Sequence, residues 1–200
     1  MTLRSNSRFS EFSNRLQSRG DLAVAWEGEI FRATSLSRPG PAEILSGEGS
    51  YRMGGRWNAR NSFRAVYGSV DDTTAVAESR SSAAYYKVKF TKNRLLVVVR
   101  LQLGKVLDLT SAGVRRKVVV TLSDIISEDW RKLNDQGYES LTQALGRAAE
   151  AAGIEAMIVP SVFVKGGVNV VFLPRNLAVD SNAEVLNADE LERLPRKDQG

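Results

Sequence analysis

The sequence of 200 residues contains no cysteine and no histidine. The absence of cysteine excludes disulfides, a thiolate nucleophile and a cysteine-ligated metal. The absence of histidine excludes a Ser-His-Asp triad, a histidine acid–base pair and a histidine-ligated zinc. Any catalytic chemistry in this chain must therefore depend on carboxylates, hydroxyls, tyrosine, lysine and arginine.

Long apolar runs are also lacking. No run approaches the roughly 20 apolar residues that a membrane helix needs. The N-terminal residues include four arginines but no apolar core of a secretory signal. With 42% hydrophobic and 26% charged residues, the composition is that of a globular protein. We therefore expect a cytoplasmic protein with no membrane partner.

The charge balance is mildly basic, with 28 lysines and arginines against 23 acidic residues and a net charge of +5. This charge favours an anionic partner only weakly, because solubility alone would explain it. The basic run Arg115-Arg116-Lys117 could contact phosphates, although a solvated face is the more common role of such a run. These two features are the only support for a basic nucleic-acid-binding module. No recognition-helix pattern or regular aromatic–basic interleaving indicates direct nucleic-acid binding.

The chain is expected to form one α+β domain with short additions at both ends. Residues 1–22 are predicted to be an N-terminal extension, in which Phe9, Phe12 and Leu16 recur at the spacing of a short amphipathic helix. Residues 23–187 are predicted to be the main domain, and residues 188–200 a polar C-terminal tail. The element pattern predicts short, mostly antiparallel strands with helices on the outside.

The predicted elements follow from apolar alternation and from helix-capping residues. Strands are expected at residues 23–32, 65–69, 95–103, 106–109, 156–159 and 168–173, with a break at Gly104-Lys105. Helices are expected from residue 69 or 71 to about 86, from 123 or 124 through 133, and from 140 to 152.

The segment Gly54-Gly55-Arg56-Trp57-Asn58 is the most informative part of the sequence. Its glycines allow a close backbone approach, and Arg and Trp offer a donor fork beside a flat apolar face. About twenty residues later, Glu78 follows small residues on a predicted helix. This combination indicates a pocket for an anionic ligand that carries a ring. The alternative is a glycine-rich turn followed by an ordinary surface glutamate.

Five motifs in this order resemble the RES domain family, which is named for its Arg, Glu and Ser. The motifs are Phe31-Arg32-Ala33-Thr34, Gly54-Gly55-Arg56-Trp57-Asn58, Val66-Tyr67-Gly68-Ser69, Ala75-Val76-Ala77-Glu78 and Val159-Pro160-Ser161. Asn169, before an apolar strand that ends in Phe172-Leu173-Pro174, fits the same pattern. One departure is Asn61-Ser62-Phe63-Arg64, where the family often has a shorter link that contains Gly or Pro. Because of this departure, the shape of the pocket rim and the preferred acceptor of the ADP-ribosyl group are left undecided.

The resemblance implies an ADP-ribosyltransferase-like fold of mixed sheets and surrounding helices. It implies the toxin of a bacterial toxin–antitoxin pair that degrades NAD⁺ and is neutralised by an Xre-type antitoxin. NAD⁺ is the substrate in this interpretation, and no cofactor or metal is expected. The NAD⁺ would be hydrolysed or phosphorolysed, and transfer of ADP-ribose to a protein is the alternative. Self-association into a homodimer is left open.

The resemblance assigns catalysis to Arg32, Tyr67, Glu78 and Ser161. It assigns NAD⁺ binding to Arg32, Gly55, Arg56, Tyr67 and Asn169.

The chemistry of the bond fits a chain without histidine. Nicotinamide leaves NAD⁺ as a neutral molecule, so that no general acid is needed, and an oxocarbenium-like sugar develops as in glycoside cleavage. Glu78 can stabilise that positive charge, and Arg32 can hold phosphate oxygens. Tyr67 can stack on nicotinamide, and Ser161 can hydrogen-bond the ribose or the amide. The glycine turn is expected to present backbone N–H groups to the ligand.

Each assignment has a structural alternative. Arg32 could cap a helix or pair with an acid, Tyr67 could be a core residue, and Ser161 could be a turn residue after Pro160.

Overall fold

A computed structural model gives the fold, and the structure describes residues 2–35, 40–85 and 94–193. The strands in this part of the chain are β1 Ala23–Ser35, β2 Val66–Ser69, β3 Arg94–Asp108, β4 Ala156–Pro160, β5 Val168–Phe172 and β6 Asn182–Val185. The α-helices are α1 Phe9–Ser18, α2 Pro41–Leu45, α3 Glu48–Met53, α4 Asp72–Tyr85, α5 Ala112–Val118, α6 Leu122–Ser127, α7 Trp130–Asp135, α8 Leu141–Ala151 and α9 Ala188–Glu192. The α+β class is confirmed.

The strands form one mixed sheet in the order β1-β2-β5-β4-β3-β6, and β1 also pairs with β3. This additional pairing joins β1, β2, β5, β4 and β3 into a closed ring. Only β3 and β4 pair in parallel, and the other pairings within the described strands are antiparallel. The ring is weakest between β1 and β2, which pair through Phe31 and Ser69 alone. The candidate site lies beside this junction.

Alternation along the strands produces a core on each side of the sheet. In β5, Val170 and Phe172 belong to one apolar cluster, whereas Val171 belongs to a second cluster that includes residues of α1 and α8. In β3, Val97, Val99, Leu101 and Leu103 are all buried, while the residues between them are more exposed. Successive side chains of a strand point to opposite faces, which explains the two clusters.

Two helices that carry or support the site begin at polar caps, as predicted. Asp71 Oδ1 accepts the Thr74 backbone N–H at 2.7 Å, which caps α4. Ser140 and Gln143 form a capping box at the start of α8. Gly153, which follows the end of α8, has a left-handed φ of 73°, a conformation in which glycine commonly ends a helix.

The predicted break at Gly104-Lys105 is wrong, because β3 continues through both residues. Its register against β1 changes from Trp26 opposite Leu103 to Val24 opposite Val106. One extra residue of β3 is thus absorbed in a bulge, which bends a strand without ending it.

The single helix predicted through residue 133 is also wrong, because it is divided into α6 and α7. The division comes at Glu128-Asp129. The Asp129 carboxylate accepts the backbone N–H groups of Arg131 and Lys132 and starts a new helix. Helices α3, α5 and α9 and strand β6 were not predicted.

Both ends of the described chain contribute to the core. In α1, Phe12 and Leu16 are buried, and Phe12 belongs to the same apolar cluster as Leu145 of α8. In α9, which lies in the predicted tail, Leu191 is buried. Residues 36–39, residue 86 at the predicted end of a helix and residues 194–200 of the predicted tail lie outside the described residues. Within the described ranges, no helix is both long and apolar enough to span a membrane.

Candidate active site

A cavity of about 390 Å³ lies beside the junction of β1 and β2. Strands β1 and β2, helices α3 and α4, the glycine turn and the end of β4 all contribute to its wall. The predicted residues that line it are Arg32, Gly55, Arg56, Tyr67, Glu78 and Asn169. Ser161 is not among the lining residues but contacts Glu78 directly. The structure thus brings together all seven residues predicted from the sequence.

The Glu78 carboxylate is held by two neutral donors. Ser161 Oγ donates to Glu78 Oε1 at 2.7 Å, and Asn169 Nδ2 donates to the same oxygen at 2.6 Å. The side-chain carbonyl of Asn169 accepts the Ser69 hydroxyl at 2.7 Å, which fixes the orientation of the amide. Asn169 lies opposite Ser69 of β2 and Val159 of β4. Three strands therefore position one carboxylate oxygen on α4.

Ser161 also organises the loop that follows β4. Its hydroxyl accepts the backbone N–H groups of Phe163 and Val164 at 3.2 and 3.0 Å. Its own N–H donates to the Gly167 carbonyl at 2.8 Å. Ser161 is therefore a turn residue, as its structural alternative proposed, and at the same time a donor to Glu78. With two N–H donors bound to it, the hydroxyl directs its own hydrogen to the carboxylate.

Tyr67 joins β2 to the glycine turn. Its hydroxyl accepts the Trp57 N–H at 3.1 Å and donates to Asn58 Oδ1 at 2.7 Å. Asn58 is fully buried and donates to the carbonyls of Ser50 and Phe63 at 3.0 and 3.1 Å. Burial raises the pKa of the Tyr67 phenol well above its ordinary value. The phenol therefore stays neutral and acts as a bridge that holds the turn in place.

The glycine turn has a different role from the one expected. The N–H groups of Gly54, Gly55 and Trp57 donate to Ser50 O, to Asn58 O and to the Tyr67 hydroxyl, so all three are used within the protein. The lack of a side chain at Gly55 instead leaves room for the Tyr67 hydroxyl and the Asn58 side chain. A Cβ at this position would overlap the Tyr67 hydroxyl and lie 2.9 Å from Asn58 Oδ1.

Helix α8 supports the same turn from behind. The Gln143 side chain is fully buried and donates to the Gly55 carbonyl at 3.0 Å. A Cβ at Gly146 would overlap the Trp57 carbonyl oxygen, so this glycine lets the turn lie directly on the helix. Trp57 itself is buried in the core, and it does line the cavity at one edge.

The cavity wall is strongly cationic. Among the described residues that line it, the charged groups are Glu78 and the four arginines Arg32, Arg56, Arg94 and Arg131. Arg32 Nη1 donates to the Tyr67 carbonyl at 3.0 Å, which places the guanidinium on the wall. Such a surplus of guanidinium groups favours an anionic ligand.

Arg56 is anchored to the segment between α6 and α7. Its Nη1 donates to the carbonyls of Ile125 and Glu128, both at 3.0 Å. Burial lowers the pKa of the Arg56 guanidinium, and the carboxylates of Glu128 and Glu78 oppose that change. Since arginine keeps its proton in proteins, Arg56 remains a fixed cation on the cavity wall.

Two of the four cavity arginines were missed in the sequence. Arg94 donates to the Ser79 hydroxyl, and the Arg131 guanidinium lies over the Tyr85 and Trp130 rings, 4.1 and 4.4 Å from their centroids. Neither residue belongs to a motif of the resembled family. The only signal was the adjacency of Trp130 and Arg131, which repeats the pairing of Arg56 and Trp57.

Two of the three basic side chains on α5 contact other groups of the protein, while Arg116 is exposed. Arg115 Nη1 donates to the carbonyls of Leu109 and Thr110 at 2.8 and 2.7 Å. Lys117 pairs with Asp21 at 2.9 Å. These contacts reduce the support that the basic run gave to a nucleic-acid-binding module.

Comparison with models of known protein families identifies the family to which this chain belongs. The model of the RES domain matches residues 29–195. The chain belongs to the RES domain family. This RES domain is 32% identical over 162 residues to proteins named NAD(+) phosphorylase MbcT from Mycobacterium bovis and Mycobacterium tuberculosis. Each alignment covers 78% of this chain and 77% of the relative.

A solved structure has the same fold as this RES domain. It is the crystal structure of the M. tuberculosis MbcT-MbcA toxin-antitoxin complex, in which one chain aligns with a TM-score of 0.64 at 24% identity. The alignment covers 93% of this RES domain and 97% of that chain.

Proposed function

We propose that this RES domain is a toxin that cleaves the nicotinamide–ribose bond of NAD⁺. The observation that carries the proposal is the carboxylate of Glu78, held by Ser161 and Asn169 in a cavity lined by arginines. The arginines suit the diphosphate of NAD⁺, and the carboxylate suits the positive charge that develops on the ribose. The relatives named NAD(+) phosphorylase support the same substrate.

The reaction needs one displacement at the anomeric carbon of the nicotinamide ribose. An acceptor oxygen forms a bond to this carbon while the carbon–nitrogen bond breaks. The electron pair of that bond passes to the ring nitrogen, and neutral nicotinamide leaves. Glu78 faces the developing oxocarbenium charge and accepts a hydrogen bond from the ribose, which stabilises the transition state more than the substrate. Arg32 and Arg56 are assigned to the diphosphate.

We propose phosphate as the acceptor, which would make the product ADP-ribose 1″-phosphate. The name of the mycobacterial relatives and the cationic cavity both favour it. Water is the second acceptor, and with water the product would be ADP-ribose after a proton passes to solvent. Transfer to a protein remains the alternative from the sequence, and the structure offers no specific observation in its favour.

The test is nicotinamide release from NAD⁺, measured by chromatography with and without phosphate. We expect release by the wild type and no detectable release by Glu78→Gln, since the amide keeps the shape but loses the charge. Glu184→Gln, an exposed glutamate on β6, is the matched control and should retain activity. Equal release by Glu78→Gln and the wild type would contradict the role of Glu78. Nicotinamide release that does not depend on phosphate would indicate hydrolysis instead of phosphorolysis.

We further propose that the partner of this toxin is an antitoxin of the Xre type, as the family resemblance implies. The structural neighbour is one half of a toxin–antitoxin complex. Met53 and Phe163 line the cavity and are 57% and 51% exposed, so a partner covering them would also close the cavity. Loss of nicotinamide release on addition of the co-expressed antitoxin would support this pairing, and undiminished release would oppose it. The cytoplasmic location and a homodimer remain predictions.

A further inference from the structure

Glu128, on the segment between α6 and α7, has two separate sets of contacts. Its backbone carbonyl accepts a hydrogen bond from Arg56 Nη1 at 3.0 Å. Its carboxylate accepts the backbone N–H groups of Leu141 and Thr142, at 3.0 and 3.4 Å. Arg56 lines the cavity of the candidate site, whereas Glu128 is not among the lining residues. Arg56, and not Glu128, would therefore contact a ligand in the cavity.

The Glu128 carboxylate completes the capping of α8. The first N–H groups of a helix have no partner within the helix, and a negative charge is favourable at this end. In α8 the Gln143 N–H is bonded to the Ser140 hydroxyl at 3.1 Å, whereas the two N–H groups before it are bonded to Glu128. The segment between α6 and α7 is thereby attached to the start of α8.

Helix α8 also holds the backbone on both sides of Arg56. Gln143 Nε2 donates to the Gly55 carbonyl at 3.0 Å. On the other side, the Trp57 carbonyl oxygen lies so close to Gly146 that a Cβ there would overlap it. Arg56 is therefore fixed to α8 through its chain neighbours and, at its guanidinium, through Glu128. Fixing both ends of a long side chain lowers the entropy that it would lose on binding a ligand.

Only one nitrogen of the Arg56 guanidinium donates to the described part of the protein. Nη1 donates to the carbonyls of Ile125 and Glu128, both at 3.0 Å. No described residue accepts a hydrogen bond from Nε or Nη2. These two nitrogens lie on the same edge of the guanidinium, which can bind two oxygens of an anion at once.

Glu128 also compensates for the burial of the Arg56 charge. Burial lowers the pKa of the Arg56 guanidinium, and the negative charge of Glu128 opposes this change more than that of Glu78 does. Replacement of Glu128 by a neutral residue would remove this compensation. If the new side chain were also too short to reach α8, it would release the segment that carries the Arg56 acceptors.

We propose that Glu128 is a positioning residue for Arg56. By fixing the segment between α6 and α7 to the start of α8, its carboxylate holds in place the carbonyls that orient the guanidinium. Nε and Nη2 of Arg56 then bind the diphosphate of the substrate. This inference rests on the proposed NAD⁺-cleaving function, in which Arg56 is assigned to the diphosphate. Glu128 belongs to none of the five motifs found in the sequence, so its effect on substrate affinity would be exerted through Arg56 alone.

The test measures kcat and KM for nicotinamide release from NAD⁺, and the dissociation constant of ADP-ribose by calorimetry. ADP-ribose has the diphosphate but no bond to nicotinamide. In Glu128→Ala we expect KM and this dissociation constant to rise about tenfold while kcat stays near the wild-type value, because Arg56 binds the diphosphate equally in the substrate and in the transition state. In Glu128→Gln, which keeps an acceptor oxygen for α8 but loses the charge, both constants should lie between those of the wild type and Glu128→Ala.

A double variant separates positioning from a general loss of stability. If Glu128 acts through Arg56, adding Glu128→Ala to Arg56→Ala should raise KM no further, because the group that Glu128 orients is already absent. The matched control is Asn176→Ala. Asn176 Nδ2 donates to the carbonyls of Glu150 and Ile154, both at 2.8 Å, at the other end of α8. Loss of these bonds should lower the unfolding temperature and leave KM at the wild-type value.

Two results would overturn the inference. One is a wild-type KM and a wild-type affinity for ADP-ribose in folded Glu128→Ala and Glu128→Gln proteins. The other is an equal rise of KM when Glu128→Ala is introduced into the wild type and into Arg56→Ala, because Glu128 would then act independently of Arg56. Failure of the wild type to release nicotinamide would instead overturn the proposed function, and the ADP-ribose measurement would still decide whether Glu128 supports binding of the diphosphate.

Discussion

The two donors to the Glu78 carboxylate provide the most direct test of the candidate site. Ser161 and Asn169 donate to the same oxygen at 2.7 and 2.6 Å. In Ser161→Ala or Asn169→Ala the carboxylate loses one bond and is free to rotate away from the ribose. A hydrogen bond to a charged group contributes about 1.5–3 kcal/mol. If this whole contribution is expressed in the transition state, kcat/KM for nicotinamide release falls by roughly 10- to 150-fold in each variant.

The double variant, Ser161→Ala with Asn169→Ala, tests whether the two donors act by orienting the Glu78 carboxylate or by independent hydrogen-bond strengths. Because both bonds end on Oε1, the second bond cannot fix the carboxylate once the first has been removed. The double variant should therefore lose less activity than the product of the two single losses. The assay is nicotinamide release under kcat/KM conditions, with the unfolding temperature measured for each protein. That measurement is needed because the Ser161 hydroxyl also accepts the N–H groups of Phe163 and Val164.

Ser181 provides a control with the same chemistry at a distance from the cavity. Its hydroxyl donates to both carboxylate oxygens of Glu155, at 3.1 and 2.8 Å, and Glu155 is buried. Ser181→Ala should lower stability and leave kcat/KM at the wild-type value. Wild-type activity in Ser161→Ala and Asn169→Ala would refute the reasoning. A double variant whose loss equals the product of the single losses would refute the shared-orientation argument.

Two further predictions concern the glycine turn. Burial raises the pKa of Tyr67, so its contribution to stability is complete below the ordinary value of 10.0 and is lost as the pH rises toward the folded-state pKa. Denaturant titrations should show that the unfolding free energy falls above about pH 10, and that it falls less steeply in Tyr67→Phe. An equal fall of the unfolding free energy with pH in the two proteins would contradict this prediction. In Gly55→Ala the new Cβ would overlap the Tyr67 hydroxyl, and overpacking of this kind costs about 1–3 kcal/mol. Gly20→Ala, which would meet no atom within 4 Å, is the control, and equal unfolding free energies of the two alanine variants would contradict the overlap.

The sequence predicted those elements whose local signals and tertiary environment agree. Helix α8 has an apolar face, a capping box at Ser140 and a glycine stop, and it was found within one residue at each end. Helix α5 was missed because its Arg-Arg-Lys run suggests a solvated segment, although Val118 is buried beneath it. Strand β6 was missed because its ladder comes from pairing with β3 and not from any alternation of its own residues.

The sequence predicted which residues form the candidate site, but it did not predict the contacts between them. Glu78 is separated from its donors by 83 and 91 residues along the chain, so no local pattern places them together. The family resemblance named those residues without their geometry. The N–H groups of the glycine turn bond within the protein because Tyr67 and Asn58 lie beside the turn. No local sequence pattern predicts those positions. Arg131 belongs to no motif, and its position on the cavity wall depends on the contact of α7 with Tyr85 of α4.

The N-terminal residues belong to the same structural support as the glycine turn, although the RES domain match begins only at residue 29. Phe12 of α1 is fully buried in the cluster that contains Trp57 and Leu145. The Arg147 guanidinium of α8 lies 3.4 Å from the centroid of the Phe9 ring, so α1 is fixed to α8 by charge as well as by apolar contact. Since α8 also holds the turn through Gln143, α1 and the cavity wall pack against the same helix.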